Sequence, residues 1–187
     1  MDIGTSTVKL VLLRNGAMAK RWMAVHHGRP FACLKKGLSA LELDADTPFS
    51  LCVTGSNTEA LLEQDSAIPS LGDIPAIVEG VRQIVPQAGS VIEIGSQGAR
   101  FITDLQSRAP QFAVNEHCAG GTGSFFEDQM SRVGCRLGDY SSLVEQAQSV
   151  PRLSGRCAVF AKTDIIHRQQ EGAVSYTHLR AHETLRH

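Results

Sequence analysis

Short apolar runs closed by turn residues open the chain, and the same design returns after residue 90. Asp2-Ile3 ends a strand, Gly4-Thr5-Ser6 makes a tight turn, and Thr7 to Leu13 forms a second strand closed at Asn15-Gly16, a favoured hairpin dipeptide. Ala17 to Ala24 continues as a third strand, His26 to Pro30 as a loop and Phe31 to Leu41 as a helix. The β-branched and apolar run Phe49 to Ser56 predicts a strand with Cys52 in the core, Asn57 to Gln64 a short helix, and Ile68 to Pro75 a loop. Ile77, Val78, Val81, Ile84 and Val85 recur at helical spacing over Ala76 to Val85, and Pro86 stops that helix. Val91-Ile92-Glu93-Ile94-Gly95-Ser96-Gln97-Gly98 then repeats the opening: apolar strand, acid, glycine turn, and a returning strand through Ile102. Gln111 to Asn115 reads as a strand, Gly123 to Val133 as a helix capped by Gly134, and Leu137 to Gln148 as a second helix. Val159 to Arg168 reads as a third helix, with Cys157 at its start.

Composition narrows the class. A chain of 187 residues with 42% hydrophobic residues can bury about 70% of its unfolded surface, as one large or two small domains. A formal net charge of −1 leaves no electrostatic footprint for nucleic acid or an anionic membrane, so neither is an expected partner. No apolar run is long enough to span a bilayer and no signal peptide precedes them, which predicts a cytoplasmic protein. The odd set Cys33, Cys52, Cys118, Cys135 and Cys157 does not fit a secreted disulfide framework; reduced thiols or metal ligands fit better. Cys135, just past a capping glycine, reads as packing, and the pair His26-His27 as a solvated loop without ligand spacing.

Two cysteines stand in contexts that carry chemistry. In Asn115-Glu116-His117-Cys118-Ala119-Gly120-Gly121-Thr122-Gly123, three glycines in four positions allow close backbone approach. The helix start that follows offers unpaired N–H groups to negative charge. A cysteine before such a start suits a metal ligand or a reactive thiol, while a buried small cysteine before a turn is the other reading. Thirty-nine positions later comes Arg156-Cys157-Ala158-Val159-Phe160-Ala161. A cubane iron-sulfur cluster takes four cysteines, so two per chain would suffice if a two-fold dimer held one cluster on its axis.

Asn-x-x-Cys-Ala-Gly-Gly-Thr-Gly followed at this distance by Arg-Cys-Ala-Val-Phe-Ala resembles the activator ATPases of 2-hydroxyacyl-CoA dehydratases and benzoyl-CoA reductases, over roughly residues 1 to 172. Asp2-x-Gly4-Thr5-Ser6-Thr7 resembles the first phosphate loop of the wider actin, Hsp70 and sugar-kinase superfamily. The resemblance implies an incomplete α/β, actin-like (ribonuclease H-like) ATPase fold. One half would span residues 1–87 and a second 88–173, each supplying one phosphate loop to a shared cleft. It further implies ATP and Mg2+ held by Gly4, Thr5, Ser6 and Lys9 with Gly95, Ser96, Gln97, Gly120, Gly121 and Thr122. Asp2 and Glu93 would be the catalytic acids, and Cys118 and Cys157 the ligands of a 4Fe-4S cluster shared by a homodimer. Magnesium, which keeps several waters and takes one or two carboxylates, suits Asp2. Glu93 and Gly98 depart from the family's usual Asp and Gly-Gly-Gln-Asp turn.

The implied function is ATP-driven transfer of one low-potential electron, from a donor such as ferredoxin or flavodoxin, to a dehydratase or related reductase component. A small-molecule kinase on the same fold and a non-functional fragment are the rival readings. The strand expected before Asp2 and the family's Gly-Gly-x-x-x-Asn adenosine loop are missing from the sequence as given, and residues 174–187 resemble sequencing-adapter read-through rather than native sequence. The expectation is of a fragment that neither binds ATP tightly nor hydrolyses it at a useful rate.

Overall fold

The computed structural model describes residues 1–43, 46, 48–115, 122–147, 149–153 and 157–171. Cys118, Gly120, Gly121 and the expected non-native stretch 174–187 lie outside the described residues. The chain divides into two compact units. Met1–Gly89 with Leu105–Arg108 forms the first, and Ser90–Asp104 with the described residues from Ala109 onward the second.

In the first unit, β1 (Asp2–Ile3), β2 (Thr7–Arg14) and β3 (Ala17–Val25) form an antiparallel sheet in that order. Asn15 and Gly16 both take left-handed φ, 52° and 79°, as the two-residue turn between β2 and β3 requires. α1 (Pro30–Ala40) starts at a proline, which has no N–H to leave unpaired in a first turn, and covers one face of the sheet. Ile3, Val8, Leu10, Cys33, Leu34 and Leu41 form the core there, with Trp22 packed against them. The opposite face leaves Val11, Leu13, Met23 and Val25 each more than half exposed.

Elsewhere in this unit the chain departs from its expected elements. The run from Phe49 makes no extended strand: only Val53 and Thr54 bridge, in parallel, to Ser70 and Asp2. Sheet forms only where a partner backbone stands on each side, Met1–Ile3 and Pro69–Leu71, so Phe49 is 61% exposed and Cys52 is exposed rather than core. α2 (Glu59–Gln64) follows. α3 (Asp73–Ile84) begins three residues earlier than expected, because Pro75 falls in the first turn, where its missing N–H costs nothing. Val78 is buried but Ile84, counted to the same apolar face, is 82% exposed. His26, expected in solvent, is buried; His27 is exposed.

The second unit opens with β4 (Ser90–Ile94), β5 (Ala99–Thr103) and β6 (Gln111–Asn115), again an antiparallel sheet in sequence order. α4 (Gly123–Arg132) ends at Gly134, whose φ of 71° closes it as expected. The next helix is shorter than its pattern: a 3₁₀ turn at Leu137–Asp139 leads into α5 (Tyr140–Glu145), and the Tyr140 ring meets Phe126 edge-on at 5.4 Å. Cys135 packs beside Met130 and Val144, as expected. α6 (Ala158–Gln170) packs Ala161 and Ile165 against Phe125 of α4.

Candidate functional site: two acid-glycine turns and a helix-capping cysteine

The turn between β1 and β2 is closed by the Gly4 N–H donating to Thr7 O at 2.9 Å. Antiparallel register sets Asp2 directly opposite Lys9, and Lys9 Nζ donates to Asp2 Oδ2 at 2.7 Å. Both side chains keep solvent access, 33% for Asp2 and 48% for Lys9. A second segment reaches this turn from residues 55–57. Thr5 Oγ1 and Ser56 Oγ lie 3.3 Å apart, and Asn57 Nδ2 donates to Gly4 O at 2.7 Å. Gly55 backs the carboxylate: a Cβ there would lie 2.6 Å from Asp2 Oδ1, so the acid is approached on that side by bare backbone. A part-exposed carboxylate, a lysine, two hydroxyls from separate segments and a glycine-lined backbone are the donor and acceptor types that magnesium water and phosphate oxygens require.

The turn between β4 and β5 has the same construction. Gly95 N–H donates to Gly98 O at 2.8 Å, Glu93 stands directly opposite Arg100, and Arg100 Nη1 donates to Glu93 Oε2 at 2.8 Å. In each unit, then, the glycine two residues past the acid closes the turn and the cation seven residues past the acid faces it across the ladder. Sequence reading missed Arg100; its position, seven after Glu93 as Lys9 is seven after Asp2, was the available signal. The Glu93–Arg100 pair is less exposed than Asp2–Lys9, 31% and 16% for the two side chains. Gly98, where the resemblance leads one to expect a carboxylate, takes part here through its carbonyl.

α4 docks its N-terminus on this second turn. Gly123 N–H donates to Gly95 O at 2.6 Å and Ser124 N–H to Ser96 O at 3.0 Å, while Ser124 Oγ also donates to Ser96 O. A Cβ on Gly123 would lie 3.0 Å from Gly95 O, so the glycine permits the close approach. This corrects one expectation. The amides of Gly123 and Ser124 are not open to an anion, because the turn carbonyls already accept them. Thr122 is buried at the N-cap position, and Gln97 is exposed at the turn's tip.

Cys157 is the N-cap residue of α6, in extended conformation at φ −154° and ψ 164°, half-buried and in no disulfide. The residue therefore stands at the positive end of a thirteen-residue helix, with no capping hydrogen bond from its side chain. Its expected partner, Cys118, is outside the described residues, and among those described no cluster of three or more metal-ligating side chains occurs. A chain giving two ligands to a shared cluster would form no such cluster by itself.

Residues 1–181 match the BadF/BadG/BcrA/BcrD ATPase family. The chain belongs to that family. The activator of lactoyl-CoA dehydratase from Anaerotignum propionicum is similar, at 29% identity over 177 residues, covering 92% of this chain and 67% of the relative. So is the 2-hydroxyisocaproyl-CoA dehydratase activator from Clostridioides difficile, at 27% over 178 residues, covering 92% and 66%. One of the benzoyl-CoA reductase polypeptides of Thauera aromatica is similar at 28% over 182 residues, covering 92% and 63%. Among solved structures, the activator of the 2-hydroxyisocaproyl-CoA dehydratase from Clostridium difficile with bound ADPNP superposes with a TM-score of 0.81 at 24% identity, over 98% of this chain and 69% of that one. The fold of this BadF/BadG/BcrA/BcrD member is thus the α/β, actin-like ATPase fold that its opening turn resembles. The chain spans about two thirds of the length of these curated relatives.

Proposed function

We propose that a protein of full family length carrying these residues is an ATP-dependent activator that delivers one low-potential electron to a 2-hydroxyacyl-CoA dehydratase or a related reductase component. The observation that carries this reading is the repeated acid-glycine turn, built twice in the same register with an opposed cation each time. The names of the relatives, activators of CoA-ester dehydratases and a component of benzoyl-CoA reductase, support the class of partner.

In this reading Gly4, Thr5 and Ser6, with Gly95, Ser96 and Gln97, hold the phosphates. Gly120, Gly121 and Thr122, which follow β6 in sequence, contribute as well. Asp2 would hold magnesium, which when bound would supply charge neutralisation and an activated water, and Lys9, on its flexible stem, can exchange its carboxylate partner for a phosphate oxygen. Glu93 is the second acid, held by Arg100 and so less free to turn. Cys118 and Cys157 would hold a 4Fe-4S cluster shared by a homodimer, which when bound would supply the one-electron carrier; ferredoxin or flavodoxin is the class of donor. The cytoplasm is the proposed compartment, and among the described residues no helix is long and apolar enough to cross a membrane.

Asp2→Asn tests the ATPase part. A carboxylate that orders water acts mostly in the transition state, so turnover should fall by about two to four orders of magnitude with nucleotide affinity nearly unchanged. Glu93→Gln should cost less. Unchanged hydrolysis in Asp2→Asn would remove Asp2 from the chemistry.

A further inference from the structure

His26 and Asn57 are distant in sequence from the first turn, yet both end on one atom of it, the Gly4 carbonyl oxygen. His26 Nε2 lies 3.2 Å from that oxygen and Asn57 Nδ2 lies 2.7 Å from it. The direction of the histidine bond follows from its other nitrogen. The Gly28 N–H donates to His26 Nδ1 at 3.1 Å, so Nδ1 carries the lone pair and Nε2 carries the proton that goes to Gly4 O. The ring is held in place as well. Arg29 N–H donates to His26 O at 2.9 Å across a tight turn in which His27 and Gly28 take φ of 47° and 78°, and His26 N–H donates to Ser6 O at 3.0 Å. On the far side, Asn57 N–H donates to Ile3 O at 2.9 Å. The histidine is buried at 9% exposure, and Asn57 is half-buried.

A carbonyl that accepts two side-chain donors has its plane fixed. Because the peptide is planar and trans, holding Gly4 O toward His26 and Asn57 aims the Thr5 N–H in the opposite direction. We infer that His26 and Asn57 are positioning residues, which set the Gly4–Thr5 peptide so that the Thr5 N–H points at the phosphate of the bound nucleotide. This rests on the nucleotide reading of the turn. Preorganised N–H donors are most valuable where phosphate charge must be met without reorganisation, and a free turn peptide would flip. Neither residue touches the nucleotide in this arrangement; each acts through the Gly4 carbonyl.

The test compares His26→Leu, His26→Gln, Asn57→Ala and the control His27→Leu in the protein of full family length, by steady-state kinetics with Mg-ATP and by thermal unfolding. Removing one donor from this part-buried carbonyl should lower kcat/KM for ATP on the order of tenfold in His26→Leu and in Asn57→Ala. His26→Gln, whose amide can replace the Nε2–H donor, should recover most of the loss, and His27→Leu should behave as wild type. The double variant His26→Leu with Asn57→Ala should lose more than the product of the single losses, since both act on one acceptor. A lowered unfolding temperature with kcat/KM unchanged in every variant would mean a purely structural role and overturn the inference. Should His26→Leu fail to fold, Asn57→Ala and His26→Gln decide by the same criteria. Hydrolysis abolished by Asp2→Asn but untouched by Asn57→Ala would overturn this inference alone. A wild-type protein without Mg-dependent hydrolysis would overturn the nucleotide reading beneath it.

Discussion

A methyl group at position 55 would land 2.6 Å from Asp2 Oδ1 and equally close to the carbonyl carbon and oxygen of Ile3. Gly55 also sits at φ 104°, which an L side chain adopts only under strain. Gly55→Ala should therefore destabilise the fold by about 2–4 kcal/mol, from strain together with overpacking against backbone that cannot step aside. Denaturant unfolding checks this, and a variant as stable as wild type would contradict the contact. At this scale the sequence exposed only part of the site. Asp2, Gly4 and Glu93 are legible because acid, spacing and turn residue are local. Gly55, Asn57, His26 and Arg100 were not read, because what each does depends on a partner across the ladder or tens of residues away. Cys52 fails for the same reason: an apolar neighbourhood in sequence does not say which backbone stands beside it.

Among the elements, α1 shows how closely a helix is set on its sheet. A Cβ on Gly37 would meet Trp22 Cε3 at 2.5 Å and Leu10 Cδ1 at 2.6 Å. Gly37→Ala gains about 1 kcal/mol of helix propensity, but overpacking a core contact costs about 1–3 kcal/mol, so the net effect should be a loss. Gly37→Leu should lose more, because no rotamer avoids both Trp22 and Leu10. Urea midpoints of the two variants give the sign, and a Gly37→Ala protein more stable than wild type would show that α1 can lift from the sheet without cost. Most helices and hairpins were legible from periodicity and stop residues, since those signals act within one turn or one strand. The run from Phe49 misled because β-branched composition favours a strand only where a ladder partner exists. α4 misled in its chemistry: its first amides were expected to be open and instead hold the Gly95–Gly98 turn.

For the whole molecule, the central fact is repetition. Two units each carry a strand, an acid, a glycine-closed turn and an opposed cation, in a chain of an ATPase family, and the proposed function attaches that repetition to ATP. The repeat of strand, acid and glycine turn was visible in sequence because its spacing survives although the acid differs, Asp2 in one unit and Glu93 in the other; the opposed cations, Lys9 and Arg100, emerged only with the strand register. What turns such an ATPase into an electron-delivering activator, in the account proposed here, is the pair Cys118 and Cys157. The most direct measurement is iron and acid-labile sulfide in the full-length protein purified without oxygen, beside Cys118→Ser and Cys157→Ser. Two ligands from each of two chains predict about two irons per chain for wild type and loss of nearly all iron, with a weakened dimer, in either of those variants. Cys33→Ser, Cys52→Ser and Cys135→Ser should keep wild-type iron. Full iron retained in Cys118→Ser or Cys157→Ser, or no iron in the wild-type protein, would contradict the account.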